Sequence, residues 1–207
     1  MALKKVLFSL TVFVFVYFIG VDYANTPAQI KYIFLNNEAL DTQALDKKDS
    51  VEVLFDKEYF DALMHDIAHA RKRIFIIMYV FKTAGYRKAL PDRIVNMLIK
   101  RHAQGVEVSV LLNVDQVNKN DVASTELNET NLLTAKQLEN NGITVYLDSP
   151  HKTTHAKIVI IDDNIVYIGS HNFTQSALKY NHEVSVRIES HKIAKKLIDY
   201  MEALEHE

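Results

Sequence analysis

The chain has 207 residues, of which 48% are hydrophobic, and a formal net charge of −2. That length and apolar content suit one domain with a sizeable core and a short extension. The charge excludes a global basic field that would draw nucleic acid, though not a local positive groove, and the lack of cysteine excludes disulfides and thiolate metal sites.

Lys4 and Lys5 precede an apolar run from Val6 to Val21, broken only by Ser9, Thr11 and Gly20. A charged start followed by an apolar stretch reads as a signal anchor or signal peptide over residues 1–24. Asp22 and Pro27 spoil the cleavage sites after Ala24 and Ala28, which favours an uncleaved anchor. Lysines ahead of the run predict that the rest of the chain lies outside the cytoplasm, periplasmic or secreted and held to the membrane. Residues 25–49 read as a tether, and the domain proper spans 50–207.

Within that domain, Val51–Phe55 alternates as a strand. Phe60, Leu63, Met64, Ile67 and Ala68 recur at helical spacing. Ile74–Val80 is a continuous apolar run, as in a central strand buried on both faces. Pro91 suits the first turn of a helix with stripe Ile94, Val95, Leu98 and Ile99, which Gly105 ends before a strand at Val106–Leu112. Asn113–Thr130 reads as a long polar loop, followed by a helix near Leu132–Glu139 and a strand at Thr144–Leu147. Glu183–Ile188 alternates as a strand, and Ser190 can cap a last helix with stripe Ile193, Ala194, Leu197, Ile198 and Met201. Alternating strands and helices predict an α/β layered domain.

Between these elements lies the most informative stretch, His155–Asn172. Two β-branched runs, Ile158–Ile161 and Ile165–Ile168, flank Asp162-Asp163-Asn164, which predicts a β-hairpin and makes the sheet mixed. With a two-residue loop at Asp163-Asn164, Lys157 faces Ser170 and His155 faces Asn172, and residues two apart share a face. One patch then holds an imidazole, an ammonium, a hydroxyl and a carboxamide. Such a set suits a phosphate: Lys157 as point charge, Ser170 and Asn172 as neutral donors, His155 as nucleophile or proton carrier. Gly169 lets backbone approach a bound group. Asp162 lies seven residues from His155, about 23 Å along a straight strand, with opposite parity. It therefore reads as a turn residue bonding nearby amides, not as the partner of the imidazole.

His155, Lys157, Asp162, Gly169, Ser170 and Asn172 fill the pattern H-x-K-x4-D-x6-G-S-x-N. The pattern resembles the HKD motif of the phospholipase D superfamily. The resemblance covers residues 50 to the C-terminus and is specific from His155 to Glu183. It implies a mixed sheet between helical layers and a metal-independent phosphodiesterase. No second motif occurs in these residues, and the small single-motif members, bacterial endonucleases and their mitochondrial relatives, pair two subunits around one site. The resemblance therefore implies a homodimer, a covalent phosphohistidine on one His155 with the other protonating the leaving oxygen, and no cofactor or metal. It favours a nuclease acting on DNA or RNA over a phospholipid hydrolase or transferase such as a cardiolipin synthase. An acidic residue after the motif orients the histidine in those nucleases, and Glu183, at the start of the next strand, is the match. Lys82, Arg87, Lys88 and Arg93 read chiefly as a solvated face, His171 points into the sheet, and Phe173 belongs to the core.

Overall fold

The structure is a computed structural model and describes residues 49–86, 88–116 and 122–204. The 1–24 segment, the tether up to residue 48 and Arg87 lie outside the described residues.

The described chain runs β1 (Ser50–Phe55), α1 (Lys57–His69), β2 (Arg73–Met78), α2 (Leu90–Ala103), β3 (Glu107–Leu112), α3 (Val122–Glu139), β4 (Thr144–Leu147), β5 (Lys157–Ile161), β6 (Ile165–Gly169), β7 (Val184–Glu189) and α4 (His191–Leu204). The strands form one seven-stranded sheet in the order β1-β7-β6-β5-β2-β3-β4. β2, β3 and β4 pair in parallel, while β2–β5, β5–β6, β6–β7 and β1–β7 pair antiparallel, so the sheet is mixed as expected.

Burial follows the alternation of each strand. Ile74, Ile76 and Met78 of β2 join Val159, Ile161 and Tyr167 on one face, beneath Leu63 and Ile67 of α1 and Ile94 and Leu98 of α2. Phe75, Ile77, Ile158, Ile160 and Val166 face the other way, against Ala194, Ile198, Met201 and Leu204 of α4. β2 and β5 are thus apolar on both faces, as their unbroken sequence runs require. α1 is also tied down by a polar link: the Tyr167 hydroxyl and Arg187 Nε each donate to Asp66, both at 2.6 Å. α4 leaves part of its face uncovered. Val53 pairs with Val186 and Phe55 with Val184 on that side, and Val51, Val53, Phe55 and Val184 are each about half exposed.

Two expectations change. Residues 122–130, read as loop, are the first half of α3. Its buried residues include Ser124, Asn128, Asn131 and Thr134, so the face it turns inward is largely polar and carries little apolar periodicity. The hairpin register also differs by one. Ile161 pairs with Ile165, giving a three-residue loop in which Asp162 and Asp163 take φ of 53° and 57°. Aspartate tolerates this left-handed region because its short side chain bonds nearby backbone.

Asp162 does bind backbone amides, but those of the distant α1–β2 turn. Its carboxylate accepts from Arg71 N (2.8 Å), Lys72 N (2.7 Å) and Arg73 N (3.2 Å), while Asp163 pairs with Lys72 and Arg73. The hairpin turn is thereby pinned to the start of β2. Asp162→Asn is expected to destabilise the fold by about 2 kcal/mol, because charge-assisted bonds are lost and an amide N–H is set against an N–H donor. Urea unfolding checks this, and an unchanged midpoint would count against it.

Candidate active site

The motif residues other than Asp162 lie toward one end of the sheet, opposite the Asp162 turn. The corrected register places Gly169, not Ser170, across from Lys157. Ser170 and Asn172 lie just past β6, and other contacts bring them to the site. Ser170 N donates to Val184 O (3.0 Å), and Phe173 N donates to Val80 O (2.9 Å), which sets residues 171–173 beside the exit of β2.

Lys157 opens β5 opposite Met78 and is only 7% exposed. Its Nζ donates to the His155 carbonyl at 2.7 Å and lies 3.2 Å from His155 Nδ1. An ammonium only donates, so Nδ1 accepts, and in the neutral ring the proton sits on Nε2. No carboxylate lies within ion-pair distance of Lys157 among the described residues. Burial pushes the ammonium pKa down, against an opposing pull from Glu183. Loss of solvent, and then the Lys157 charge, hold His155 below the ordinary imidazole value. The imidazole is thus neutral over more of the pH range, as a nucleophile requires.

Glu183 stands beside this pair. It accepts from Ser170 Oγ and from Asn181 Nδ2 (3.1 Å), and no hydrogen bond joins it to His155 among the described residues. Its backbone is fixed by Asp56, whose N donates to Glu183 O (3.0 Å) and whose carboxylate accepts from Glu183 N (2.9 Å). Asn172 is half-buried, and its Oδ1 has no hydrogen-bond partner among the described residues. Gly169 serves a different purpose from the one expected. A Cβ there would stand 2.5 Å from the Ser185 Cα, so the close approach is to β7, not to a bound group.

His171 points into the sheet as expected. It stacks on Tyr59 at 4.2 Å, its Nε2–H donates to Asp56 O (2.9 Å), and its Nδ1 accepts from the Ser185 hydroxyl (2.7 Å). Phe173 is fully buried against Phe81. Of the basic residues, Lys82 pairs with Glu126, and Arg93 lies over the Phe60 ring at 4.8 Å.

The sequence reading missed three contributors. Tyr79, hidden at the end of an apolar run, presents its ring to both Lys157 Nζ (4.7 Å) and the His155 ring (4.4 Å). Asn113, past β3, accepts from Thr154 N at 2.7 Å and so fixes the residue before His155. Asn131 of α3 is fully buried, accepts from Phe81 N (2.9 Å), and donates to Tyr79 O (2.8 Å) and Asn113 O (2.9 Å). An amide side chain with both ends engaged is what two irregular strand exits need, since their buried backbone groups lack ladder partners. The buried asparagines at positions 128 and 131 were the available signal.

A family model described as cardiolipin synthase, PLD-like domain, matches residues 63–205. The chain belongs to the phospholipase D-like family. Among curated relatives, the cardiolipin synthase of Oceanobacillus iheyensis is 32% identical over 156 residues, 70% of this chain and 29% of that protein. That of Listeria welshimeri is 28% identical over 152 residues, 68% of this chain and 28% of that protein. The chain therefore spans less than a third of these relatives' length. Among solved structures, the phospholipase D family member Nuc of Salmonella typhimurium superposes with a TM-score of 0.59 at 24% identity, covering 76% of this chain and 94% of Nuc. NucT of Helicobacter pylori gives 0.56 at 19%, covering 76% and 96%. Phosphatidylserine synthase of Haemophilus influenzae gives 0.57 at 17%, covering 76% and 39%. These structures share the phospholipase D-like fold, with its mixed sheet and helices.

Proposed function

We propose that this phospholipase D-like protein is a metal-independent phosphodiesterase that cleaves nucleic acid through a phosphohistidine, at a site completed by a second copy of the chain. The observation that carries the chemistry is the Lys157 ammonium held against His155 with no ion-paired carboxylate. The charge is thus free for a phosphoryl oxygen, and the neutral imidazole stands next to it. As Lys157 Nζ passes from Nδ1 to a phosphoryl oxygen, the freed Nδ1 lone pair of His155 attacks phosphorus and forms the N–P bond, with Nε2 keeping its proton. The P–O bond to the leaving group breaks, and its oxygen takes a proton from His155 of the partner subunit, which enters this step as the imidazolium and leaves it neutral. That imidazole then takes a proton from water, whose oxygen attacks the phosphohistidine, releasing His155 and a phosphomonoester. Lys157 and the Asn172 Nδ2 amide hold the phosphoryl oxygens as charge develops, joined by Ser170 when its hydroxyl turns from Glu183 to the substrate. Asn172 Oδ1 is buried with no partner among the described residues, and as an acceptor it suits a donor group on the substrate, while the Nδ2 amide is the end that can serve a phosphoryl oxygen.

Nucleic acid is favoured by an exposed aromatic–cation element near Glu183. Tyr180 is 68% exposed, with Lys179 Nζ 4.9 Å from its ring centroid, three residues before Glu183. An aromatic face beside a cation suits a base and its phosphate. The uncovered apolar face at β1 and β7 ends at Val184, next to Glu183, and offers the second copy a seat beside the site. In the same reading the Val6–Val21 run anchors the domain outside the cytoplasm. Phospholipid is the second reading, favoured by that same apolar rim, Phe55, Ile168 and Val184, and by the cardiolipin synthase relatives.

The deciding experiment incubates the purified full chain, in excess EDTA, with single-stranded DNA, double-stranded DNA, RNA, and phosphatidylglycerol–phosphatidylcholine vesicles. Nucleic-acid cleavage that survives chelation is expected. Action on the vesicles alone would support the second reading. Complete loss on chelation, restored by a divalent ion, would overturn the metal-independent chemistry.

Glu183→Gln is expected to lower kcat about tenfold or more while leaving the melting temperature nearly unchanged, because the backbone bonds to Asp56 survive and only the charge acting on Lys157 and Ser170 is lost. A fully active Glu183→Gln would remove this residue from the site.

A further inference from the structure

Tyr79 belongs to no motif, yet it touches both reactive side chains. It follows Met78, which pairs with Lys157 across β2 and β5, and its N–H donates to Ala156 O at 3.1 Å. Its carbonyl is held by Asn131 at 2.8 Å. The backbone of this residue is therefore fixed on both sides, and its ring stays beside residues 155–157.

We propose that Tyr79 is a positioning residue for the reaction at His155: its ring face holds the Lys157 ammonium against the imidazole without neutralising it. The proposal rests on the phosphodiesterase reading for its effect on rate. A lysine this buried needs a partner, and a carboxylate is the usual one. A carboxylate in direct contact would compete with the substrate phosphate for the charge. A π face attracts an ammonium yet leaves its N–H donors free. The geometry matches this role, because Nζ lies 4.7 Å from the ring centroid, and the two rings are 4.4 Å apart and inclined by 52°. The charged groups acting on this cluster are Glu183, on Lys157, and Asp115, on the Tyr79 phenol. Asp115 is itself held by Asn128, which accepts from Asp115 N and donates to Asp115 O, both at 2.8 Å. The same α3 thus fixes the backbone of Tyr79 and of Asp115, whose charge acts on the Tyr79 phenol.

The test compares the full chain with Tyr79→Phe and Tyr79→Leu, with Tyr79→Met replacing Leu if that variant does not fold. Loss of the ring face is expected to lower kcat about tenfold, the scale of a desolvated cation–π contact, while Tyr79→Phe stays within about twofold of the wild type. An independent reading follows the His155 imidazole by NMR titration. Without the ring, Lys157 moves off Nδ1, so the His155 pKa should rise in the Leu variant and hold in the Phe variant. A Leu variant with unchanged kcat and unchanged His155 titration overturns the proposal, as does a Phe variant as impaired as Leu. A fall in melting temperature and kcat with the His155 titration unmoved also overturns it, since that is the signature of packing alone. If the wild type cleaves no substrate offered, the phosphodiesterase reading fails by itself, and the titration still decides the role of Tyr79.

Discussion

Replacing His155 with Ala is expected to lower phosphodiester cleavage by about four orders of magnitude or more, because the nucleophile and the proton carrier of a shared site disappear together. Stability should hardly change. The His155 side chain is exposed, and its removal forfeits the contact with Tyr79 and the hydrogen bond from Lys157 Nζ to Nδ1, which places the substitution within about 1 kcal/mol of the wild type. Activity and melting temperature measured on one preparation check both halves. The same variant tests the shared site. Mixing wild type with an excess of His155→Ala should produce heterodimers of greatly reduced activity. Activity that follows only the fraction of wild-type chains, after subunit exchange has been demonstrated, would argue for a site complete within one chain.

The second large effect lies in α3. Asn131→Leu should destabilise the fold by about 4 kcal/mol, because one buried N–H and two buried carbonyls, each costly by about 1–3 kcal/mol when unsatisfied, lose their partner at once. The site should suffer with it, since Tyr79 and Asn113 are the residues released. Urea unfolding monitored by circular dichroism gives the first quantity and kcat the second. A variant with the wild-type midpoint would mean that water or a shifted backbone satisfies these groups without Asn131.

The hairpin could be read from sequence because two β-branched runs around an Asp/Asn cluster permit little else. Its two strands and turn lie where the apolar runs place them, although the facing pairs differ by one residue. A two-residue loop was assumed, and the left-handed conformations of Asp162 and Asp163, which lengthen the loop to three, are set by contacts with residues 71–73 far away in sequence. α3 was half missed for a related reason. Helix recognition relies on an apolar stripe, and here Asn128, Asn131 and Thr134 occupy the inward face. Tyr79 was hidden by its neighbours. In an unbroken apolar run an aromatic residue looks like core, and only the end of β2 at Met78 shows that Tyr79 lies beyond the ladder, at the site.

The polar face of α3 has a further consequence for how this protein loses function. Only Ala135 and Leu138 of the helix reach the main apolar core, while Val122, Leu132 and Leu133 remain in water. The helix is held by amide and hydroxyl contacts to the strand exits, and the strands are held by one another and by α1, α2 and α4. Heat acts on these two kinds of attachment differently, because apolar burial keeps its strength on warming while an element with few apolar contacts opens at a lower free energy. The layer that aligns Tyr79, Asn113 and Asp115 is therefore the first that thermal motion loosens, and the sheet outlasts it. Inactivation and unfolding are separate events in such a molecule, with the catalytic end blurring while the architecture around it still stands.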